Sequence, residues 1–145
     1  MRRPSIFALA GIFAIVACSS ANRVTTPPGP GEVKMKLTCL SDGSLDFSLV
    51  PWKVRLPNKN AAFVFINDPN SSTDGVINTQ NPQFPFGGQP FTAGKGATVR
   101  KNPVSGTPAD TYKYSVTAIC PKAGGGSDTT IVDPDMIIPW KIDLS

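Results

Sequence analysis

The sequence predicts an all-β domain, an antiparallel Greek-key β-sandwich, that follows an apolar N-terminal segment and a proline-rich linker. Apolar and polar residues alternate with a period of two along several short stretches after residue 32. Turn residues (Gly, Pro, Asn, Asp) separate these stretches at intervals of about 8 to 12 residues. No stretch after residue 32 has the apolar spacing of a useful helix, so both observations favour seven or eight short strands.

Three strands are predicted in the first part of the domain, and each has one apolar face. Their apolar residues are Val33, Met35, Leu37 and Cys39 in the first, Leu45, Phe47 and Leu49 in the second, and Trp52, Val54 and Leu56 in the third. Residues 61–66 follow and are continuously apolar. An unbroken apolar run of this length, bounded by Asn-rich turns, predicts a core strand buried on both faces.

Four more strands are predicted towards the C-terminus. Residues 76–77 and 97–100 are short candidates, residues 111–120 alternate cleanly, and residues 131–138 form the last strand, interrupted at Asp133 and Pro134. Residues 81–96 are rich in proline and glycine, which predicts a long irregular connection.

The N-terminus carries the features of an export signal. Arg2 and Arg3 precede an apolar centre at residues 6–16, which is too short for the roughly 18 residues of a membrane-spanning helix. The run Ile15-Val16-Ala17-Cys18 resembles the lipobox of bacterial lipoproteins. The resemblance implies that residues 1–17 are a signal peptide, that cleavage precedes Cys18, and that Cys18 carries acyl chains. The alternative is an ordinary signal peptide in which Cys18 is incidental.

The lipobox resemblance also implies a location. In the rule known for this family an acidic residue after the cysteine retains the protein in the inner membrane, whereas here Ser19 and Ser20 follow. We therefore expect a lipid anchor in the cell envelope, at the outer membrane, on its periplasmic or surface face. Residues 18–32 would be the lipidated cysteine and a flexible tether of about 3 Å per residue, and residues 33–145 the folded domain.

Charge excludes one class of partner. Removing residues 1–17 takes away Arg2 and Arg3 but no acid, so the net charge falls from +4 to +2. No run of five or more basic residues occurs in the remaining sequence. The linear sequence therefore predicts neither a nucleic-acid partner nor a polybasic membrane patch.

The cysteines point to a disulfide. With Cys18 assigned to lipid, Cys39 and Cys120 remain as an even pair in a compartment where disulfides persist. The two cysteines are 81 residues apart, and a bond that closes a loop of this length stabilises a fold by about 4 to 5 kcal/mol in the chain-entropy treatment. The competing interpretation leaves Cys120 as a free thiol or a metal ligand.

A second resemblance concerns the domain. The apolar strand Phe63–Asn67, the dipeptide Pro85-Phe86 and the segment from Tyr112 to Cys120 occur in an order that resembles the cupredoxins. In that family the corresponding segments lead to histidine, cysteine and methionine ligands of copper. This chain contains no histidine, so we expect a cupredoxin-like domain without a metal or other cofactor. An immunoglobulin-like sandwich is the alternative, although Trp52 follows Cys39 at a spacing unlike that of antibody domains.

Other constellations are weaker. The lack of histidine excludes Ser-His-Asp and Cys-His catalysis. Asp133 and Asp135 remain as a candidate acid/base pair, but Pro134 between them favours a bend. The chain is therefore predicted not to be an enzyme. The oxygen-rich loop 68–75 offers calcium ligands but lacks EF-hand spacing, and an Asx-rich turn is its commoner use.

Four aromatic residues form the candidate binding surface, for a protein or glycan partner: Phe84, Phe86, Phe91 and Trp140. The alternative is that these rings cap the end of their own core. Together, the predictions describe an envelope-anchored, non-enzymatic binding or structural domain. The alternative function is a degenerate metal or redox domain that uses Cys120 as a thiol.

Overall fold

The computed structural model describes residues 27–139. The signal peptide, Cys18 and Trp140 lie outside the described residues. Between residues 27 and 139 the chain forms strands, turns and loops and no helix, so the all-β prediction is confirmed for this part of the chain. The ten strands are β1 (Glu32–Cys39), β2 (Leu45–Val50), β3 (Lys53–Arg55), β4 (Phe63–Asn67), β5 (Gly75–Thr79), β6 (Phe91–Ala93), β7 (Thr98–Lys101), β8 (Thr111–Pro121), β9 (Ser127–Val132) and β10 (Asp135–Ile137).

The strands form two sheets, consistent with a sandwich. The first sheet has the order β2-β1-β4-β7. The second has the order β3-β10-β8-β5-β6, and β9 also pairs with β8. Strand β8 is central because β5 lies along one edge of it, whereas β9 and β10 lie along the other.

Both sheets are mixed, which corrects the prediction of purely antiparallel sheets. Strand β1 pairs with β4 in parallel, and β3 pairs with β10 in parallel. A parallel pair needs a long crossover between its strands. Between β1 and β4 that crossover contains β2, which belongs to the first sheet, and β3, which belongs to the second. Period-two alternation is the same in both strand directions, so the sequence pattern does not contain this information.

The core lies between the sheets and follows the predicted alternation. Val33, Met35 and Leu37 on β1 are fully buried, as are Phe63 and Phe65 on β4. The second sheet contributes the buried side chains Ile77, Tyr112, Tyr114, Val116, Ala118 and Met136. Burial of these apolar side chains is the main favourable term in the stability of the domain.

Several predicted strands are confirmed. Strand β4 is buried along most of its length, and β8 alternates strictly between buried and more exposed positions. The last strand is interrupted as predicted: β9 and β10 lie along the same edge of β8, and the carbonyl of Pro134 between them accepts a hydrogen bond from Tyr114 N at 3.1 Å.

Other details differ from the predictions. The segment 81–96 contains a short strand, β6, and β9 begins at Ser127 instead of residue 131. Trp52 is 48% exposed because β3 begins only at Lys53, so strand alternation does not extend to it. Phe47 is 38% exposed on β2, which is an edge strand of the first sheet.

The folded part begins slightly before the predicted boundary at Val33. Glu32 is already the first residue of β1, and its carboxylate accepts a 2.7 Å hydrogen bond from Gly29 N. Gly31 N donates to Arg55 O, and Gly31 O accepts from Val64 N, so Gly31 joins the two sheets. A Cβ there would approach Ala62 O at 3.0 Å, and the backbone φ of +74° also favours glycine.

Candidate binding surfaces

The two domain cysteines form a disulfide. Cys39 ends β1 in the first sheet and Cys120 lies near the end of β8 in the second, and the bond links them across the sandwich. Cys120 is 1% exposed. The sulfur therefore does not present a thiol to solvent, to a metal or to a redox partner.

The predicted aromatic surface is built on the core. Phe86 packs edge-on against Phe63 and Phe91, with ring centroids 5.7 Å and 5.6 Å apart. Phe91 also packs against Phe65 at 5.3 Å, and Lys101 Nζ lies 4.8 Å from the centroid of the Phe91 ring. Edge-to-face pairs of this kind stabilise by about 0.5 to 1.5 kcal/mol beyond the area they bury.

The loop between β5 and β6 holds these rings in place. The side-chain oxygen of Asn81 accepts hydrogen bonds from Gln83 N and Phe84 N, which makes an Asx turn. Val104 N donates to Pro85 O at 2.8 Å and so ties the loop to the segment after β7. The loop is long and mostly irregular, as predicted, and hydrogen bonds hold it between Asn81 and Gly87.

Phe84, Phe86 and Phe91 therefore act first as a cap on the core. All three rings are half-buried and contact the core. The surface they offer to a partner is the part of each ring that faces away from the core. Whether a partner uses that surface stays a prediction, and Trp140 lies outside the described residues.

A second surface was not singled out from the sequence. On the outer face of the second sheet, Thr92, Val76, Thr117 and Ile131 occupy one continuous row across β6, β5, β8 and β9. Ile119 stands beside this row, and Ile119 and Ile131 are 56% and 58% exposed. The strand alternation of residues 111–120 would have placed Ile119 on this face, since Cys120 points into the core.

The side chains of this row are β-branched, and the charged side chains of Lys113, Asp135 and Lys53 lie further along the same face. Val76, Thr92, Thr117 and Ile119 line an open depression of about 280 Å³ together with Thr73 and Asp74 at its edge. A larger polar cleft of about 450 Å³ lies between residues 59–60 and residues 102–107. Isolated exposed apolar residues are normal on soluble proteins, so their exposure alone does not make this face a binding site.

The carboxylates noted in the sequence are held by neighbours. Asp135 lies between Lys113 and Lys53, with Oδ1 2.7 Å from Lys113 Nζ and Oδ2 3.6 Å from Lys53 Nζ. The hydrogen bond from Lys113, with the charges of both lysines, lowers the pKa of Asp135 below its ordinary value. A carboxyl that stays ionised in an ion pair is a poor general acid at neutral pH.

The side-chain oxygens of the loop after β4 accept hydrogen bonds from backbone amides. Asp68 Oδ1 accepts from Asn70 N, Ser71 Oγ from Leu37 N, and Asp74 Oδ1 from Lys95 N. The first contact is an Asx turn, the commoner alternative in the sequence analysis, and the other two tie the loop to β1 and to the segment after β6. Within residues 27–139 no cluster of three His, Cys, Asp or Glu side chains has the arrangement to hold a metal ion.

Asn67 and Tyr114 are buried polar residues in the core. Asn67 Nδ2 donates to Thr73 O at 3.1 Å and to Ala93 O at 2.9 Å. The Tyr114 ring packs edge-on against Phe65 at 5.8 Å. Burial, and to a lesser extent the charge of Asp135, raises the pKa of the Tyr114 hydroxyl well above its ordinary value, so Tyr114 is neutral at any physiological pH.

Comparison of the chain with protein-family models, with curated proteins and with solved structures finds no match. Within residues 27–139 no helix has the length and apolar character needed to cross a bilayer.

Proposed function

We propose that this protein is a bacterial lipoprotein of the cell envelope, anchored through acyl chains on Cys18, whose domain is a non-enzymatic binding or structural module. The lipobox-like run Ile15-Val16-Ala17-Cys18 supports the anchor. Two or three acyl chains give durable anchoring, since each buried methylene contributes about 0.8 kcal/mol. The serines after Cys18 support the outer membrane as the location.

The disulfide between Cys39 and Cys120 is the observation that carries this proposal. The chain has three cysteines, and the disulfide uses two of them. Cys18 is therefore the one cysteine left, and it stands where the apolar run ends. A disulfide is also expected in an exported protein, because thiols are kept reduced in the cytosol.

The same bond counts against the alternative function. A metal or redox role for Cys120 needs its thiolate, because the thiolate is the ligand and the nucleophile. In the disulfide that sulfur is bonded to Cys39 and buried. The binding or structural module is therefore favoured over a degenerate metal or redox domain.

For the finer fold class we propose a Greek-key sandwich of cupredoxin-like type, with the immunoglobulin-like class as the alternative. Support comes from the two segments that carry the resemblance. Strand β4, which ends at Asn67, is central in the first sheet, and β8, which leads to Cys120, is central in the second. The family's ligand cysteine corresponds to Cys120, which here forms the disulfide.

For the partner we propose a protein or a glycan that contacts the exposed parts of Phe84, Phe86 and Phe91. Aromatic rings supply contact area at a low cost in conformational entropy, and these rings are already held by the core. No nucleic acid is proposed as a partner. No catalytic residue, metal or cofactor is included in this function.

The experiment is intact mass spectrometry of the protein extracted in detergent from its own host, under native and under denaturing, non-reducing conditions. The expected mass is that of residues 18–145 with acyl chains and with two hydrogens fewer than the dithiol form. A mass with free thiols and bound metal would establish the alternative. A mass without acyl chains would overturn the anchor, and Cys18→Ser is the control that should lose the acyl mass.

Crosslinking then tests the partner. Photo-crosslinkers at Phe84 and at Ile119 report on the aromatic surface and on the outer face of the second sheet in the same cells. The proposal expects a specific adduct from position 84. An adduct from position 119 alone would move the binding surface to the outer face.

A further inference from the structure

The strand topology separates charge along the length of the domain. We call the end where β1 begins, at residues 27–32, the tether end, and the end that carries the Cys39–Cys120 disulfide the far end. We propose that the tether end lies against the membrane and binds anionic lipid headgroups through its basic side chains. This deepens the proposed function and rests on the lipid anchor at Cys18. The β5–β6 loop with Phe84 lies at this same end, because Gln80 N donates to Lys113 O and Val104 N donates to Pro85 O, so a protein or glycan partner of the aromatic rings would contact them beside the membrane surface.

The first sheet brings three basic residues to the tether end. Lys34 lies two residues after Glu32 at the start of β1. On β7, Arg100 stands opposite Val64, which in turn stands opposite Glu32, and Lys101 stands opposite Phe63 one residue further. Arg100 is exposed, and Lys34 and Lys101 are half-buried.

The second sheet and its connection supply four more. The carbonyl of Arg55 accepts a hydrogen bond from Gly31 N, which places the end of β3 beside the start of β1. Lys53 and Lys113 flank Asp135 in one row of the sheet, and they are 56% and 57% exposed. Lys59 lies in the connection from β3 to β4 at the same end and is also exposed.

The acids at the tether end are fewer and are engaged. Asp135 is held between two lysines, Glu32 accepts from Gly29 N, and Asp110 accepts from Thr111 N. Against seven basic residues these three acids leave a formal charge of +4 at this end.

The far end has the opposite sign. Its two bases are Lys95 and Lys122, and its four acids are Asp42, Asp46, Asp74 and Asp128. The formal charge there is −2. Lys36, Asp68 and Asp133 lie near the middle of the strands, where Asp68 N donates to Met35 O, and leave a charge of −1. The domain is therefore a strong electric dipole although its net charge is small.

The linear sequence does not show this dipole because no run of basic residues creates it. The bases come from five different segments, and strand direction and register alone bring them together. The sequence analysis considered only runs of basic residues along the chain, and these seven bases come together without such a run.

The strength and the range of electrostatic attraction favour contact of the tether end with a bilayer. A basic residue near an anionic membrane surface strengthens binding about fivefold. The attraction decays over a Debye length of about 8 Å. Strand β8 has 11 residues, so the far end lies roughly 35 Å from the tether end and its acids are screened from that surface.

The lipid anchor favours a lipid surface over a soluble polyanion as the partner of the tether end. Eight residues separate Cys18 from Pro27, and a chain of that length reaches at most about 30 Å. The tether end is thus confined close to the bilayer, which raises the effective concentration of headgroups around it. The far end has no comparable restraint. A membrane is therefore the partner that the geometry favours over a soluble anionic glycan.

Lysine footprinting tests the proposal, because the chain carries lysines at both ends. The mature protein from host membranes is reconstituted into vesicles of phosphatidylcholine alone or of phosphatidylcholine with phosphatidylglycerol. Acetylation of each lysine is then followed by mass spectrometry. We expect Lys53, Lys59 and Lys113 to react at least about threefold more slowly on the anionic vesicles. Lys95 and Lys122 should react equally on both.

Salt and charge reversal provide the controls. Salt at about 1 M shortens the Debye length to about 3 Å and should remove the protection. The double variant Lys59→Glu with Arg100→Glu should also lose the protection at Lys53 and Lys113. The matched variant Lys95→Glu with Lys122→Glu, at the far end, should keep it. If Lys53, Lys59 and Lys113 each react equally fast on the two kinds of vesicle, the proposal is overturned.

Two further outcomes distinguish a lipid surface from an anionic glycan and separate the tether-end contact from the anchor. If heparin protects the tether-end lysines more strongly than anionic vesicles do, the partner is an anionic glycan and the proposal fails. The intact mass of the same sample reports the anchor separately. Acylated protein without footprint refutes only the tether-end contact, whereas a footprint on added vesicles without acylation refutes only the anchor.

Discussion

Asn67 Nδ2 donates a 2.9 Å hydrogen bond to the carbonyl oxygen of Ala93, and so links β4 of the first sheet to β6 of the second. The same amide group donates to Thr73 O in the loop before β5. Asn67 is fully buried. One side chain therefore satisfies two backbone carbonyls where the sheets and the loop meet, because a terminal amide nitrogen carries two donors.

Replacing Asn67 tests this role. Asn67→Asp removes both donors and sets a carboxylate against two carbonyl oxygens, so we expect a loss of about 3 to 5 kcal/mol in the free energy of unfolding. Urea denaturation at neutral pH measures it. Asn70→Asp changes an exposed residue three positions later and is the matched control, expected to stay within about 0.5 kcal/mol. Equal effects of both variants would contradict the inter-sheet role.

The disulfide should contribute a large part of the stability. In the chain-entropy treatment, Cys39→Ala with Cys120→Ala releases an 81-residue loop constraint and lowers the free energy of unfolding by about 4 to 5 kcal/mol. Guanidinium denaturation of the variant and of the parent measures this loss. Adding a reductant should destabilise the parent and leave the double variant unchanged. A parent insensitive to reductant would contradict the bond as a stabilising link.

Gly88, in the loop before β6, should not accept a side chain without a loss of stability. A Cβ at Gly88 would overlap the carbonyl oxygen of Pro82, and the residue has a φ of +77°. Gly88→Ala is therefore expected to cost about 2 to 4 kcal/mol, and to loosen Phe84 and Phe86. Thermal unfolding gives the cost.

Gly106 is the control that distinguishes the steric reason for a glycine from the reason of positive φ. It also has a positive φ, +81°, but nothing lies within 4 Å of an added Cβ. Gly106→Ala should cost only the backbone term of about 1 kcal/mol. Similar losses at both positions would show that the overlap with Pro82 is relieved by small shifts of the loop.

The ion pairs of Asp135 should give a pH-dependent stability. Their lysines hold the pKa of Asp135 below its ordinary value of 3.8, so the stabilisation is full above that value and is lost as pH falls through the lowered pKa. Asp135→Asn should cost about 0.5 to 1 kcal/mol at neutral pH, a small amount because Lys53 and Lys113 are exposed. The difference from the parent should vanish in strong acid.

The matched control for Asp135 is its neighbour Asp133. The exposed carboxylate of Asp133 accepts a 3.4 Å hydrogen bond from Gln80. Asp133→Asn should change the unfolding free energy by less than half as much. Unfolding curves at several pH values decide between them, and a difference for Asp135→Asn that persists below its lowered pKa would contradict the ion-pair origin.

The strand content and much of the core could be predicted from the local pattern of residues. Alternation over residues 33–39 and 111–120 placed Val33, Met35, Leu37, Tyr112, Tyr114 and Val116 inside, and the structure confirms all six. The unbroken apolar run at residues 61–66 indicated the buried strand β4. The cysteine count indicated the disulfide. These features depend on neighbours along the chain or on simple pairing arithmetic, and a local pattern contains that information.

Strand pairing and strand direction depend on the folded chain and are not contained in the local pattern. The parallel partners of β1 and β10, the strand β6 inside a proline-rich segment and the exposure of Trp52 all depend on contacts between distant segments. So does the dipole, because Lys34, Arg55, Lys59 and Lys101 meet at one end only through register and strand direction. A period-two pattern fixes which face a side chain occupies, but it is unchanged by reversing or shifting a strand by two residues. Pairing, direction and charge distribution are therefore properties of the fold.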